Sequence, residues 1–239
     1  MMVKKIALVT LLVSSLFALE EGETKFKTHT ELGYISTSGN TKTQNFNLVS
    51  KLEKGWNRHS INFIFDGQYA SDQDEATKNK FYTDLNYNYS FGERLSFDYL
   101  VGYKRDKFSN YDYQFYTGPG AKYHLLKTEN HNLTVDGNIL YSIDQYMDET
   151  LPSEDYASFR AKGLYEWQVF ENLKFSEEAS YRVDLEDFDN YFVFSNTQLT
   201  SKLSDMFSGG LGYKVDYVNL PGDKKHTDTT FTLNLIIDY

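Results

Sequence analysis

From about residue 43 to the end of the chain, apolar and aromatic side chains recur at every second position. That is the spacing of a strand that turns one face to an apolar medium. Even positions Phe46, Leu48 and Leu52 mark one block and odd positions Ile61, Phe63, Phe65 and Tyr69 the next, with GWNR at 55–58 as the turn between them. Phe81, Leu85, Tyr87, Tyr89 and Phe91 are followed, after a short turn around Gly92 and Glu93, by Leu95, Phe97, Tyr99, Val101 and Tyr103, which predicts a tight hairpin. Further alternating blocks lie at 113–123, 133–143, 159–167, 173–183, 191–199, 211–217 and 231–239, and a weaker one near 25–36 precedes them all.

The opposite register is polar, with Asn62, Asp66 and Gln68, then Asp84, Asn86 and Asn88, and later Arg160, Lys162 and Glu166 and Lys174, Glu178, Arg182 and Asp184. The apolar register carries a single charge, Glu177, in a chain that is 24% charged. Lys or Arg facing lipid at the bilayer midplane costs roughly 2–4 kcal/mol, and acidic residues less, so hydrocarbon explains the contrast. Glu177 then reads as a marginal defect or the mark of a bulge. A soluble lipocalin-like barrel would put the apolar face inside, where ~8 strands already enclose a ligand-sized space. Sandwich strands are commonly ~5–6 residues long, whereas these blocks run closer to the ~9–11 of a tilted bilayer span. The expected fold is therefore all-β, a transmembrane antiparallel up-and-down β-barrel of about twelve strands. A soluble periplasmic β-barrel binding protein is the alternative.

The connections alternate in length. GWNR, GE at 92–93, LKTENH at 126–131, VFEN at 169–172 and SDMF at 204–207 are short; SDQDEATK at 71–78, DKFSNYD at 106–112, YMDETLPSED at 146–155, LEDFDN at 185–190 and NLPGDKKH at 219–226 are longer. Short periplasmic turns and longer external loops are expected of this architecture. Trp56 and Trp167 fall on the short-turn side, where an aromatic girdle meets the interface. Pro119, in GPG at 118–120, lacks a ladder donor and predicts a bulge or kink.

The N-terminal stretch places Lys4 and Lys5 before a mainly apolar run and Ala18, then acidic residues, which reads as a removable signal peptide over 1–18, leaving 19–239 as the barrel. The run is shorter than the ~20 residues of a spanning helix, and no later segment approaches that length. Without Lys4 and Lys5, 22 basic residues face 34 acidic ones, a net charge of −12 that argues against nucleic acid as a partner. Aromatics reach 17% while mean hydropathy is −0.56, a pairing few soluble folds need. The chain has no cysteine, which removes disulfides and thiolate chemistry.

The segment at 31–53, ELGYISTSGNTKTQNFNLVSKLE, resembles the opening of the salt-induced outer-membrane protein family (YdiY-like), and Gly33, Ser38, Gly39, Asn40 and Thr41 carry the likeness. The resemblance implies an outer-membrane barrel linked to salt or osmotic stress, with no assigned biochemical function and no active site. Gly39 and Asn40 also suit a hairpin turn by tolerating positive φ. The last block, TTFTLNLIIDY with terminal Tyr239, looks like the signal read by the β-barrel assembly machinery.

Candidate chemistry is sparse. The histidines, His29, His59, His124, His131 and His226, include no pair at metal-ligand spacing, and no cofactor is implied. A hydrolase of lipid or lipopolysaccharide would need His29 or His124 to meet a serine from another strand. The acidic loops, with Asp72, Asp74, Glu75, Asp148, Glu149, Glu154, Asp155, Glu186, Asp187 and Asp189, read as solvated surface or as carboxylates bridged by divalent ions to lipopolysaccharide phosphates. The near-balanced charges of the polar register predict either a cross-barrel ladder that plugs the lumen or a narrow water channel. The reading is a non-enzymatic outer-membrane barrel, a narrow passive channel or an envelope-stress structural protein, whose partners are outer-membrane lipids and lipopolysaccharide.

Overall fold

The structure, a computed structural model, describes residues 25–37 and 43–239. The expected signal peptide at 1–18 and the expected turn at Gly39 and Asn40 lie outside them. The strands are β1 (Lys25–Thr37), β2 (Thr43–Trp56), β3 (His59–Asp72), β4 (Glu75–Ser90), β5 (Leu95–Asp106), β6 (Tyr111–Lys127), β7 (His131–Tyr146), β8 (Glu154–Phe170), β9 (Leu173–Asp184), β10 (Tyr191–Lys202), β11 (Phe207–Val218) and β12 (Thr227–Asp238). Each pairs antiparallel with its sequence neighbour, and β12 returns to β1 to close the barrel. The seam runs from His29↔Asp238 to Leu32↔Leu235 and is extended by reciprocal backbone bonds between Thr28 and Tyr239 of 2.7 and 3.0 Å. Closure matters because an open sheet edge in hydrocarbon would leave a row of backbone groups unpaired.

Side-chain parity follows the predicted registers. Phe231 and Tyr34, on the outer face, are each 65% exposed, while Asp98, Asp144, Asn138 and Ser142 on the inner face are at most 1% exposed. A water-soluble protein would bury the first set and expose the second. The apolar exterior and polar interior make this an outer-membrane type of barrel, its outside solvated by lipid.

Aromatic girdles mark both rims. At the short-turn end Trp56 stacks on His59 (5.5 Å) and Trp167 on His131 (5.7 Å). At the other end Tyr181, Tyr191, Tyr217 and His226 form a continuous series with ring centroids 5.6–5.8 Å apart. The outward charges Arg105 and Asp155 lie near the ends of their strands, where water and headgroups are within reach.

Three expectations are corrected. The segment 71–78 is not a long loop: β3 and β4 continue to a two-residue turn at Gln73 and Asp74, whose φ values of 50° and 69° are those of a type I′ hairpin. Its polar composition reflects strand residues such as Lys78 that work inside the lumen. Pro119 causes no register shift. The β6–β7 ladder has a gap between Thr117↔Tyr141 and Gly120↔Asn138, and the irregularities of β6 lie instead at Tyr111/Tyr113 and His124/Leu126. A Cβ on Gly118 would sit 2.1 Å from the carbonyl oxygen of Ile139, so the glycine beside the proline permits the close strand approach. Glu177 marks no bulge; it pairs in register with Thr197 and Tyr165, and its carboxylate accepts the hydroxyls of Ser195 (2.7 Å) and Thr197 (2.5 Å).

Candidate functional site

The site is the lumen, built by the even positions of β3–β12 and the odd positions of β1 and β2. Its two halves differ. Toward the end that carries connections 147–153, 185–190 and 219–226, every inward lysine is held by carboxylates. Lys214 reaches Asp66 at 2.5 Å, with both side chains no more than 4% exposed. Lys80 bridges Asp216 (2.6 Å) and Asp228 (2.9 Å), Lys104 adds a second contact to Asp216 (3.3 Å), and Lys78 one to Asp228 (3.3 Å). Asp144 accepts Tyr156 (2.8 Å) and Gln114 (3.1 Å) beside Arg182, which donates to Ser142 (3.2 Å) and lies over the rings of Phe192 (4.4 Å) and Tyr116 (5.1 Å). These pairs exclude water from one another and fix the side chains that cross the barrel.

Aromatic rings complete the occlusion. β4 and β10 stand on opposite sides of the barrel, yet Tyr82 and Phe194 meet edge to face at 6.3 Å across the lumen. Tyr116 also points inward and donates to Asp84 at 2.7 Å. Its ring occupies the space over Gly102, where a Cβ would lie 1.9 Å from the ring. These rings narrow the lumen at this level.

Toward the short-turn end the lumen opens into a cavity of about 810 Å³. Its walls carry amides and hydroxyls, among them Asn62, Asn86, Asn88, Ser96 and Thr134, together with Lys51, Lys122, Arg160 and Lys162. A smaller chamber of about 100 Å³ lies beyond it, lined by Tyr82, Asp84, Phe192 and Asp216, and Arg160 lines both spaces. The Arg160 guanidinium stands 3.8 Å from Asp84 and 3.9 Å from Asp136, ion pairs too long to be hydrogen bonds. Arg160 thus stands where vestibule and chamber approach each other. A third cavity of about 250 Å³ sits against β1, β2 and β12.

The expected ion-pair ladder occupies one half of the lumen, and the other half holds a cavity lined by polar and cationic side chains. The histidines considered as bases meet no serine: His29 lies between Glu31 (3.0 Å) and Asp238 (2.6 Å), and His124 bonds the Thr134 hydroxyl at 3.0 Å. Two of the loop acids order their own turns. Asp148 accepts the Thr150 backbone N–H (2.9 Å) and hydroxyl (2.6 Å), which hold its carboxyl below the usual range, and Asp187 accepts the Asp189 N–H (3.0 Å). Asp72 and Glu75 belong to strands. Among the described residues no group of three His, Asp or Glu side chains is placed to hold a metal.

Sequence reasoning missed the inward rings, because aromatics were read as lipid-facing. The signal was parity: Tyr82, Tyr116, Phe192 and Phe194 occupy the even register of Asp84, Gln114 and Asn196.

The comparisons with known proteins agree with this architecture. The chain is 25% identical to the uncharacterized protein YdiY of Escherichia coli (strain K12) over 222 residues, 88% of this chain and 82% of that protein. Among solved structures, an outer-membrane channel from Pseudomonas putida F1 superposes with a TM-score of 0.52 at 11% identity, covering 92% of this chain and 96% of that one. The NanC porin gives 0.49 at 12% identity, covering 88% and 97%. The likeness to the Pseudomonas putida channel bears on the fold and on nothing finer. The match to the family described as "Protein of unknown function, DUF481" spans residues 30–239, and this outer-membrane barrel belongs to that family.

Proposed function

We propose that this protein is a narrow passive channel of the outer membrane, resting in a closed state. The observation that carries the reading is the vestibule of about 810 Å³ and, beyond it, a second chamber of about 100 Å³, with Arg160 lining both. A barrel serving only as scaffold has no use for a large hydrated space lined by charged and amide groups. In this reading the short turns face the periplasm, lipid and lipopolysaccharide cover the aromatic exterior, and the β12 segment is what the β-barrel assembly machinery engages.

The contact between Tyr82 and Phe194 across the barrel favours a second reading, a plugged barrel that reinforces the envelope under salt or osmotic stress. Planar-bilayer recording of the purified protein separates the two. Steady, small single-channel openings support the channel; silence over a wide voltage range, with correctly folded protein, leaves the structural role. Release of fatty acid from lipid or lipopolysaccharide would replace both with a hydrolase.

A further inference from the structure

The lumen's cations are not treated alike. At the loop end Lys78, Lys80, Lys104 and Lys214 each contact carboxylate oxygens at 2.5–3.3 Å. In the vestibule the accounting differs. Lys122 donates to the neutral amide oxygen of Asn88 at 2.9 Å and, among the described residues, forms no ion pair. Lys51 makes neither a side-chain hydrogen bond nor an ion pair among them; it acts only at longer range on Glu31, Glu166 and Glu178. Those three acids are already engaged, Glu31 by Asn234 (2.6 Å) and Gln198 (2.9 Å), Glu166 by Lys174 and Asn132, and Glu178 by Lys162 (2.9 Å). Arg160 completes the set with ion pairs that fall short of hydrogen bonding.

These three side chains come from β2, β6 and β8, no two of them adjacent in the barrel, and all line the same cavity. Of the carboxylates that share its wall, Asp205 is held by Lys202 (2.9 Å) and Asp238 by His29 (2.6 Å); Glu53 lies opposite Lys27 in register, and Asp136 opposite Lys122 and 3.9 Å from Arg160. A chain with a net charge of −10 has thus gathered cations with spare donors in one water-accessible space. Such donors bind an oxygen anion through charge-assisted hydrogen bonds.

We propose that the vestibule is a binding site for a small oxyanion, a carboxylate or phosphate compound up to the size of a sugar acid, held by Lys51, Lys122 and Arg160. Its role as the first station of a pathway rests on the channel reading; the binding itself does not. Asp136 lies on the same wall and limits the site by repulsion, so an anion displaces the loose Asp136 contact as it engages Arg160.

Isothermal titration of the folded, detergent-solubilised protein at low ionic strength tests this, with inorganic phosphate, gluconate and neutral glucose as probes. Phosphate or gluconate should bind and glucose should not. Whichever anion binds assigns the phosphate or the carboxylate class. Lys51→Gln and Lys122→Gln should each weaken binding by about tenfold or more, as expected for losing a hydrogen bond from a charged donor. Lys225→Gln, exposed in the connection 219–226, should leave it unchanged. Heat-modifiable gel migration shows that each variant is folded. Absence of binding by both anions, or binding indifferent to Lys51 and Lys122, overturns the proposal. Anion binding by a protein that is electrically silent removes the channel reading and keeps the site; steady openings with no anion binding do the reverse.

Discussion

Replacing Lys214 by methionine leaves Asp66 as a buried carboxylate whose remaining polar contact is the Gln68 amide at 3.4 Å. Both partners of the native pair are at most 4% exposed, so water cannot take the place of the ammonium. Breaking a buried pair by deleting one member typically costs 3–5 kcal/mol, because an uncompensated charge stays behind. Lys80 provides the comparison. It makes two contacts, of 2.6 and 2.9 Å, yet Lys80→Met leaves Asp216 with Lys104 and Asp228 with Lys78, each at 3.3 Å. What is lost is a pair of charged hydrogen bonds with the carboxylates still neutralised, about 1–3 kcal/mol. The residue with fewer contacts should therefore be the more costly to remove. Urea titration of the reconstituted barrel, followed by Trp56 and Trp167 fluorescence and by heat-modifiable migration, reads the difference. The double variant Asp66→Leu/Lys214→Met, which removes both charges, should recover most of the loss. The reasoning fails if Lys80→Met destabilises as much as Lys214→Met, or if the double variant is no better than the single one.

Three further outcomes follow from the same geometry. Gly118→Ala places a methyl 2.1 Å from the Ile139 carbonyl oxygen and should lower the folded fraction, while Gly163→Ala, with nothing within 4 Å, should not; a gel-shift folding assay in lipid vesicles compares them. Glu177→Leu should be neutral or stabilising by up to about 1 kcal/mol, whereas Glu177→Lys, on a lipid-facing site one outward-facing pair in from the Trp167 girdle, should be destabilising but by less than the roughly 2–4 kcal/mol of a midplane lysine, measured by urea unfolding in a bilayer of fixed thickness. Tyr82→Ala and Phe194→Ala remove the rings that meet across the lumen and should each raise single-channel conductance severalfold; unchanged traces would show that the constriction lies elsewhere.

Period-two alternation made the barrel readable, since a residue's parity decides whether it meets lipid or water, and a one-residue slip would put Asp66 or Arg160 in hydrocarbon. The strand count and the polar lumen followed from that rule, and the girdle tryptophans from the alternation of short and long connections. Local composition misled at 71–78, where acids and lysines looked like a loop but belong to strands whose inward side chains complete ion pairs across the barrel. The ion-pair partners themselves were not legible. Lys214 and Asp66 are 148 residues apart, and only strand stagger brings them together. Nor could residue type distinguish Lys80, held by two carboxylates, from Lys51, held by none.

A barrel of this size cannot fill its interior with one layer of small side chains, so long ones such as Lys, Arg and Tyr must reach toward the axis. Each then has two physical fates. A reaching cation that meets a carboxylate loses its water and its freedom together, becoming part of the wall; one that meets only an amide keeps hydration and rotamer choice. The loop half of this lumen follows the first course at Lys80 and Lys214, and the vestibule follows the second at Lys122. Arg160 stands on the border, close enough to Asp84 and Asp136 to be oriented and too far to be locked. From the short-turn side the vestibule donors come first and the ion-pair ladder after them, and Arg160 lines the cavity on either side of that boundary. On the channel proposal, current should turn on Arg160 and on the Tyr82–Phe194 contact, and substitutions elsewhere in the ladder should change stability before they change current.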